Sequence, residues 1–305
     1  MPAASSPAEV PPTSVPPVPV TPSAARPDRR RLGGVATMVG SGLSNQTGAA
    51  IGSLAFPVLG PAGVVAVRQY VAAFVLLAVA RPRPLSFTRR QWGPVLLLAL
   101  VFGTMNLSLY TAIDRIGLGL AVTLEFLGPL ALALASARRR VDACCAVIAA
   151  AGAVTLMRPR PSTDHLGLGL GLLAAVCWAS YILLNRTVGR RVPGAQGAAA
   201  AAAVSALVFL PVGVVLALHR PPTAAALGYA VVAGVLSSAV PYLADLFTLR
   251  HVPPAAFGLF MSVNPVLAAL VGWVGLGQGL GPVDWAAVTA VVLANALSIL
   301  APRRA

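Results

Sequence analysis

The sequence predicts an all-α membrane protein of ten transmembrane helices, built as two inverted five-helix repeats. Three observations predict it. First, 57% of the 305 residues are hydrophobic and only 10% are charged, whereas a soluble domain of this size carries about 25% charged residues. Second, the apolar residues divide into ten stretches near the roughly 20 residues that cross a bilayer. These lie at 33–54, 62–80, 93–112, 118–136, 141–158, 167–186, 196–218, 226–249, 255–274 and 284–301. Third, the fourth and ninth stretches share a proline-bearing pattern, and the chain ahead of each also corresponds.

Residues 1–31 hold nine prolines among Ala, Ser and Thr. Val15–Val20 is too broken to supply the apolar core of about 7–15 residues that a signal peptide needs, so this segment reads as a disordered cytoplasmic tail. Span one follows the arginines at 26 and 29–31. Span two carries Arg68, and span three carries Asn106 and Tyr110. Span four sets Glu125 and the break Gly128-Pro129 inside an apolar run. Spans five and six hold Cys144, Cys145 and Cys177, which read as small packing residues rather than a disulfide or metal set. Gly167, Gly169 and Gly171 in span six, and alanines 198–203 in span seven, permit close helix packing. Span eight contains the break Pro241 with Tyr242 and Asp245, and span nine carries Asn264 and the break Pro265 at mid-span.

All 22 basic residues are arginine, and the formal net charge is +14. Seventeen arginines lie before span one and at every second connection. Four (Arg115, Arg158, Arg160 and Arg220) lie at the others, and Arg68 is within a span. That asymmetry is the positive-inside bias and places both termini in the cytoplasm. The charge therefore sets orientation and meets anionic lipid headgroups; nucleic acid is not the expected partner.

Laying Gly128-Pro129 over Asn264-Pro265 brings span four onto span nine, and Leu109-Tyr110-Thr111 onto Leu246-Phe247-Thr248 with a one-residue slip. Residues 32–160 and 161–305 thus read as two copies of one unit. Five spans per copy is odd, so the second copy enters the membrane from the opposite side, in agreement with the arginine parity. Inverted repeats place a substrate site near the midplane between the halves.

An ionisable group within a span is costly and usually faces a cavity or partner. Glu125 lies about seven residues into span four. It reads either as a neutralised carboxyl bonded to a neighbouring helix or, preferably, as a substrate-amine ligand or proton carrier. Arg68 sits at similar depth, which allows an Arg68–Glu125 pair; snorkelling to the interface is the competing reading. Asp245, near the inner end of span eight, either reaches water beside Arg250 or belongs to the site. Asn264 precedes Pro265, where it can satisfy broken backbone or meet a polar ligand. Asn106 with Tyr110 (i, i+4) and Trp178 with Tyr181 (i, i+3) each share a helix face. With Tyr242, they line a cavity or form interfacial belts. The three histidines fall in connections on opposite sides. No nucleophile–base set, metal site or phosphate loop is visible, so neither an enzyme nor a cofactor is expected.

The segments Met105-Asn106, Leu124-Glu125-Phe126 with Gly128-Pro129-Leu130, Cys177-Trp178-Ala179 with Tyr181-Ile182-Leu183, Pro241-Tyr242, and Phe257-Gly258 with Met261-Ser262 resemble the EamA-type branch of the drug/metabolite transporter superfamily. Within it they look most like the threonine/homoserine exporters. The resemblance implies an inner-membrane exporter of small hydrophilic amino acids driven by proton exchange. Where the family tends to carry Glu before the ninth-span proline, this chain has Asn264. It has Gly277-Gln278 for the family's Gly-Glu, and Asp245 matches an acidic position one methylene longer. The expected function is secondary active export of small amino acids across the plasma membrane, by alternating access with protons as coupling partner and a homodimer allowed for. A permease for another metabolite or drug, a passive channel, and a membrane-embedded enzyme or lipid-handling protein are the competing readings.

Overall fold

The computed structural model describes residues 29–82, 87–137, 140–158, 161–219, 222–251, 261, 263–276 and 279–300. Among the described residues every regular element is helical and there is no strand. α1 spans Arg29–Ser53, α2 Phe56–Ala80, α3 Arg89–Ile116, α4 Leu118–Ala135, α5 Arg140–Met157, α6 His165–Arg191 and α7 Gln196–His219. α8 (Ala224–Gly234) runs through a π-helical turn, Val235–Ala239, into α9 (Val240–His251); α10 (Val263–Leu276) and α11 (Pro282–Leu300) follow. α1 to α7 fall on the first seven expected spans, α8 to α9 together on the eighth, and α10 and α11 on the last two. The tail up to residue 28, Phe257-Gly258, Ser262 and Gly277-Gln278 lie outside the described residues.

Six helical stretches among the described residues are long and apolar enough to cross a membrane: α2, α3, α5, α6, α7 and the run Ala224–Asp245. α1 is as long as α2 but carries Ser41, Ser44, Asn45, Gln46 and Thr47, while the apolar runs Gly119–Ala135 of α4 and Pro282–Ala294 of α11 are shorter and α10 has 14 residues. Large apolar side chains point outward, with Phe74 75%, Leu218 75% and Val274 77% exposed. That is the reverse of a soluble surface and provides a lipid-facing belt. The chain is a multi-pass helical membrane protein.

Local chemistry starts these helices. Thr88 and Gln91 form a capping box at α3, the Asp164 side chain accepts from the Gly167 N–H at α6, and Thr223 accepts from the Ala226 N–H at α8. The Gly167 N–H, aided by Arg115, holds the Asp164 carboxyl below its usual range.

Two of the arginines at the sparsely basic connections are ion-paired. Arg115 meets Asp164 at 2.9 Å, and Arg158 meets the buried Asp284. α1 packs on α8, the π turn, α9 and α10, and α6 packs on α3 and α4; α2 pairs with α7, and α5 with α11.

The expected helix breaks divide into three cases. Gly128-Pro129 does not interrupt α4, which runs unbroken through Pro129. Gly128 instead lets two backbones touch, since a Cβ there would lie 2.0 Å from the Ala175 carbonyl oxygen of α6. Pro265 occupies the first turn of α10 as described, where its missing N–H costs no intrahelical bond. Pro241 alone distorts its helix, at the π turn just before it. A fourth irregularity lies in α2, where Gly60 takes φ 64 and ψ 172 directly before Pro61. The Gly-Pro pair in Leu59-Gly60-Pro61 was the available signal for it. Gly167 and Gly171 pack against side chains of α3 and α4, while Gly169 faces open space.

Candidate functional site

Span eight carries the centre of the site, and Pro241 shapes it. A proline nitrogen has no hydrogen, so it can serve neither carbonyl it would otherwise meet, that of Ser237 four residues back or Leu236 five back. The backbone answers with the π turn, in which the Val240 N–H reaches the Val235 carbonyl. Side chains from two other helices take the freed carbonyls. Ser44 Oγ of α1 donates to Leu236 O at 2.7 Å, and Arg68 Nη2 of α2 donates to Ser237 O at 3.0 Å. Ser237 Oγ donates back to Asn45 O at 3.1 Å.

Arg68 is the hub. It is buried, donates from Nε to Ser238 Oγ at 3.2 Å and from Nη1 to the Tyr110 hydroxyl, and its guanidinium lies 5.1 Å from the Tyr110 ring centroid. This rules out the snorkelling arrangement considered from sequence. The Arg68–Glu125 ion pair is not formed either, because Tyr110, Ser237 and Ser238 hold the guanidinium. These three bonds use three of the five N–H groups of an arginine. Glu125, only 7% exposed, lies near enough for the charges to interact, yet makes no hydrogen bond or ion pair among the described residues.

From Arg68 a polar column continues inward. The Tyr242 hydroxyl lies beside Ser238 and accepts from Asn106 Nδ2 at 3.2 Å. Asn106 also donates to Phe102 O, one turn back in α3. The Tyr242 ring stacks on Phe102 with centroids 4.3 Å apart, and Phe102 also meets Tyr181 at 5.6 Å. Below this aromatic layer Tyr181 donates to Asp245 Oδ2 at 2.7 Å and accepts from Asn185 Nδ2 at 3.3 Å. Asp245 is therefore buried and paired within the bundle rather than solvated. Asn185 Oδ1 is buried without a partner. Trp178, half-buried, lies edge-on to Phe126 at 6.3 Å, beside the Glu125 segment.

The structure thus joins Arg68, Tyr110, Asn106, Tyr242, Tyr181 and Asp245, places Glu125 and Trp178 beside them, and leaves Asn264 apart. Asn264 Nδ2 meets Met261 Sδ at 3.3 Å, and its Oδ1 faces Gly42 of α1. Sequence reading missed Ser44, Phe102, Asn185, Ser237, Ser238 and the π turn. A signal existed for one of them, because the residue four before a mid-span proline always loses its carbonyl's donor, and that residue is Ser237. The cysteines are free thiols, with Cys145 and Cys177 buried and Cys144 exposed.

Removing the Tyr181 hydroxyl tests the inner end. Tyr181→Phe keeps the ring but leaves Asp245 without its donor, and should cost about 1–3 kcal/mol of stability. An unchanged thermal midpoint for the purified variant would mean that bond contributes nothing.

Comparison with known proteins identifies the architecture. The EamA-like transporter family profile matches residues 165–300. The threonine/homoserine exporter RhtA of Salmonella typhimurium LT2 is 36% identical over 264 residues, spanning 86% of this chain and 89% of its own. The RhtA of Escherichia coli K12 is 35% identical over the same spans. The chain belongs to the EamA-like transporter family. Its function class is accordingly transport rather than enzyme catalysis. The uncharacterized transporter YwfM of Bacillus subtilis is 24% identical over 239 residues, or 75% of this chain and 81% of its own. A protein of known crystal structure shares the fold with a TM-score of 0.74, covering 89% of this chain and 99% of its own at 17% identity.

Proposed function

We propose that the protein exports threonine, homoserine and similarly small neutral amino acids across the plasma membrane by alternating access, exchanging protons for substrate. The observation that carries this is Glu125: a buried carboxylate with no hydrogen-bond partner among the described residues, one helix away from a buried arginine. Burying an unpaired charge is expensive, so such a group is kept where a proton or a ligand charge neutralises it. A zwitterionic amino acid offers both complements. Its carboxylate takes the N–H groups that Arg68 does not spend on Tyr110, Ser237 and Ser238, and its ammonium takes Glu125 or displaces the proton there. Asn106, Tyr110, Trp178, Tyr181 and Tyr242 shape the space, and Asp245 stands at its inner end.

Ten spans in two inverted repeats fit the packing. Exchanging the halves maps α1 on α8–α10 onto α6 on α3 and α4, while α2 with α7 and α5 with α11 map onto themselves. Termini in the cytoplasm fit the arginine asymmetry of seventeen against four. The relatedness to the RhtA exporters supports the substrate class.

The test is expression in a threonine- and homoserine-sensitive host. The protein should raise resistance and speed efflux of labelled threonine over an empty vector. Equal efflux from both strains would end the substrate assignment.

A further inference from the structure

The π turn divides span eight into two parts with different attachments. The outer part, α8 with Val235–Ala239, is tied to α1 and α2 through Ser44 Oγ to Leu236 O, Ser237 Oγ to Asn45 O, and Arg68 to Ser237 O and Ser238 Oγ. The inner part, α9, also packs on α1, but its hydrogen bonds run to α3 and α6, through Tyr242 to Asn106 and Asp245 to Tyr181. Between them sits the one place where the backbone ladder has lost a donor. A helix bends most readily where its ladder is interrupted. Apart from the Val240 N–H to Val235 carbonyl bond, the bonds made to the interruption are side-chain bonds to backbone carbonyls or a hydroxyl, and such bonds can be exchanged without unwinding a turn. The approach of α1 is equally tight, since a Cβ on Gly48 would lie 2.3 Å from Ser237 Oγ and 2.8 Å from Ser237 N.

We propose that Arg68, together with Ser44, is the positioning residue of a hinge at residues 235–241. By capping the carbonyls that Pro241 leaves without a donor, it fixes the bend about which α9 turns, carrying Tyr242 and Asp245. The turning motion rests on the alternating-access reading above; the capping does not. The arrangement also states how a ligand moves the hinge. A carboxylate drawn to the N–H groups that Arg68 leaves unspent pulls the same guanidinium away from the Ser237 carbonyl and the Ser238 hydroxyl, and so loosens the outer attachment of the turn. Arg68 is then a reader of the substrate's anionic group and the latch of the element that must move once that group is bound.

The experiment is hydrogen–deuterium exchange of the full-length chain in lipid nanodiscs, following the segment 235–245, with no substrate added. Loss of a charge-assisted bond should speed exchange there about tenfold or more in Arg68→Gln, while α5 and α7 keep wild-type rates. The decisive comparison is made in a Pro241→Ala background. Alanine restores the missing N–H, the carbonyl no longer needs Arg68, and Arg68→Gln should then change exchange by less than about threefold. Wild-type exchange in Arg68→Gln, or an undiminished increase in the double variant, overturns the proposal. Should Arg68→Gln fail to fold, Ser44→Ala, which deletes one hydroxyl, carries the same pair of comparisons at Leu236. Because no substrate enters this measurement, failure of the wild type to export threonine would sink the transport reading and leave the capping to be decided by exchange.

Discussion

Glu125→Gln should abolish coupled export while leaving a folded protein. Gln is nearly isosteric and can neither ionise nor carry a proton, so the substitution removes the charge without changing the packing around it. Glu125 makes no hydrogen bond among the described residues, so little structure depends on its carboxylate. Loss of an unpaired buried charge should, if anything, raise the thermal midpoint. We expect efflux of labelled threonine to fall at least about 100-fold, roughly the 2.7 kcal/mol that a lost charge-assisted contact to substrate is worth. Glu125→Asp should retain part of the rate. Full efflux in Glu125→Gln, with expression matched, would falsify the role assigned to this residue and leave Asp245 as the remaining buried carboxylate of the column.

The second large effect is structural. Gly128→Ala adds a single methyl group, but its Cβ would stand 2.0 Å from a backbone oxygen of α6, with the Ala175 carbonyl carbon 2.8 Å away. Neither atom belongs to a side chain that can rotate aside, so the two helices must separate. Overpacking of this kind costs about 3 kcal/mol or more where nothing can yield. The expectation is a sharp loss of monodisperse protein after extraction, together with loss of efflux. Gly169→Ala on α6 serves as the contrast, because its Cβ would enter open space and the variant should behave as wild type. A stable, monodisperse Gly128→Ala would show that α4 and α6 do not approach as closely as described.

The apolar runs made the helices legible because each helix must satisfy its own backbone in lipid, and only a long uninterrupted run does so. The same logic misjudged Gly128-Pro129. A Gly-Pro pair signals weak backbone, but whether a helix bends there depends on what packs against it, and α6 holds α4 straight. Composition identified Arg68 and Glu125 as costly residues, though not their partners. The guanidinium could be shared between Glu125 and a carbonyl left open by Pro241, and only the packing of α2 against the π turn settles that in favour of the carbonyl. Asp245, near a helix end, was open between water and the site; Tyr181, 64 residues earlier in the chain, pairs with it inside the bundle. The serines of the π turn carried no signal of their own, since serine is common in packed helices and acquires meaning only from the proline that follows.

The ion pairs at Arg115 and Arg158 bear on how the protein is made as well as on how it stands. Arg115 leaves the ribosome 49 residues ahead of Asp164, and Arg158 leaves 126 residues ahead of Asp284. At about 5–20 residues per second, the second interval is roughly 6–25 s. Through that time Arg158 is without the partner it has in the finished molecule, whereas Arg115 waits only for the 49 residues that separate it from Asp164. Arg158 therefore spends the whole synthesis of α6 to α10 without its carboxylate, whereas Arg115 can pair as soon as the start of α6 has been made.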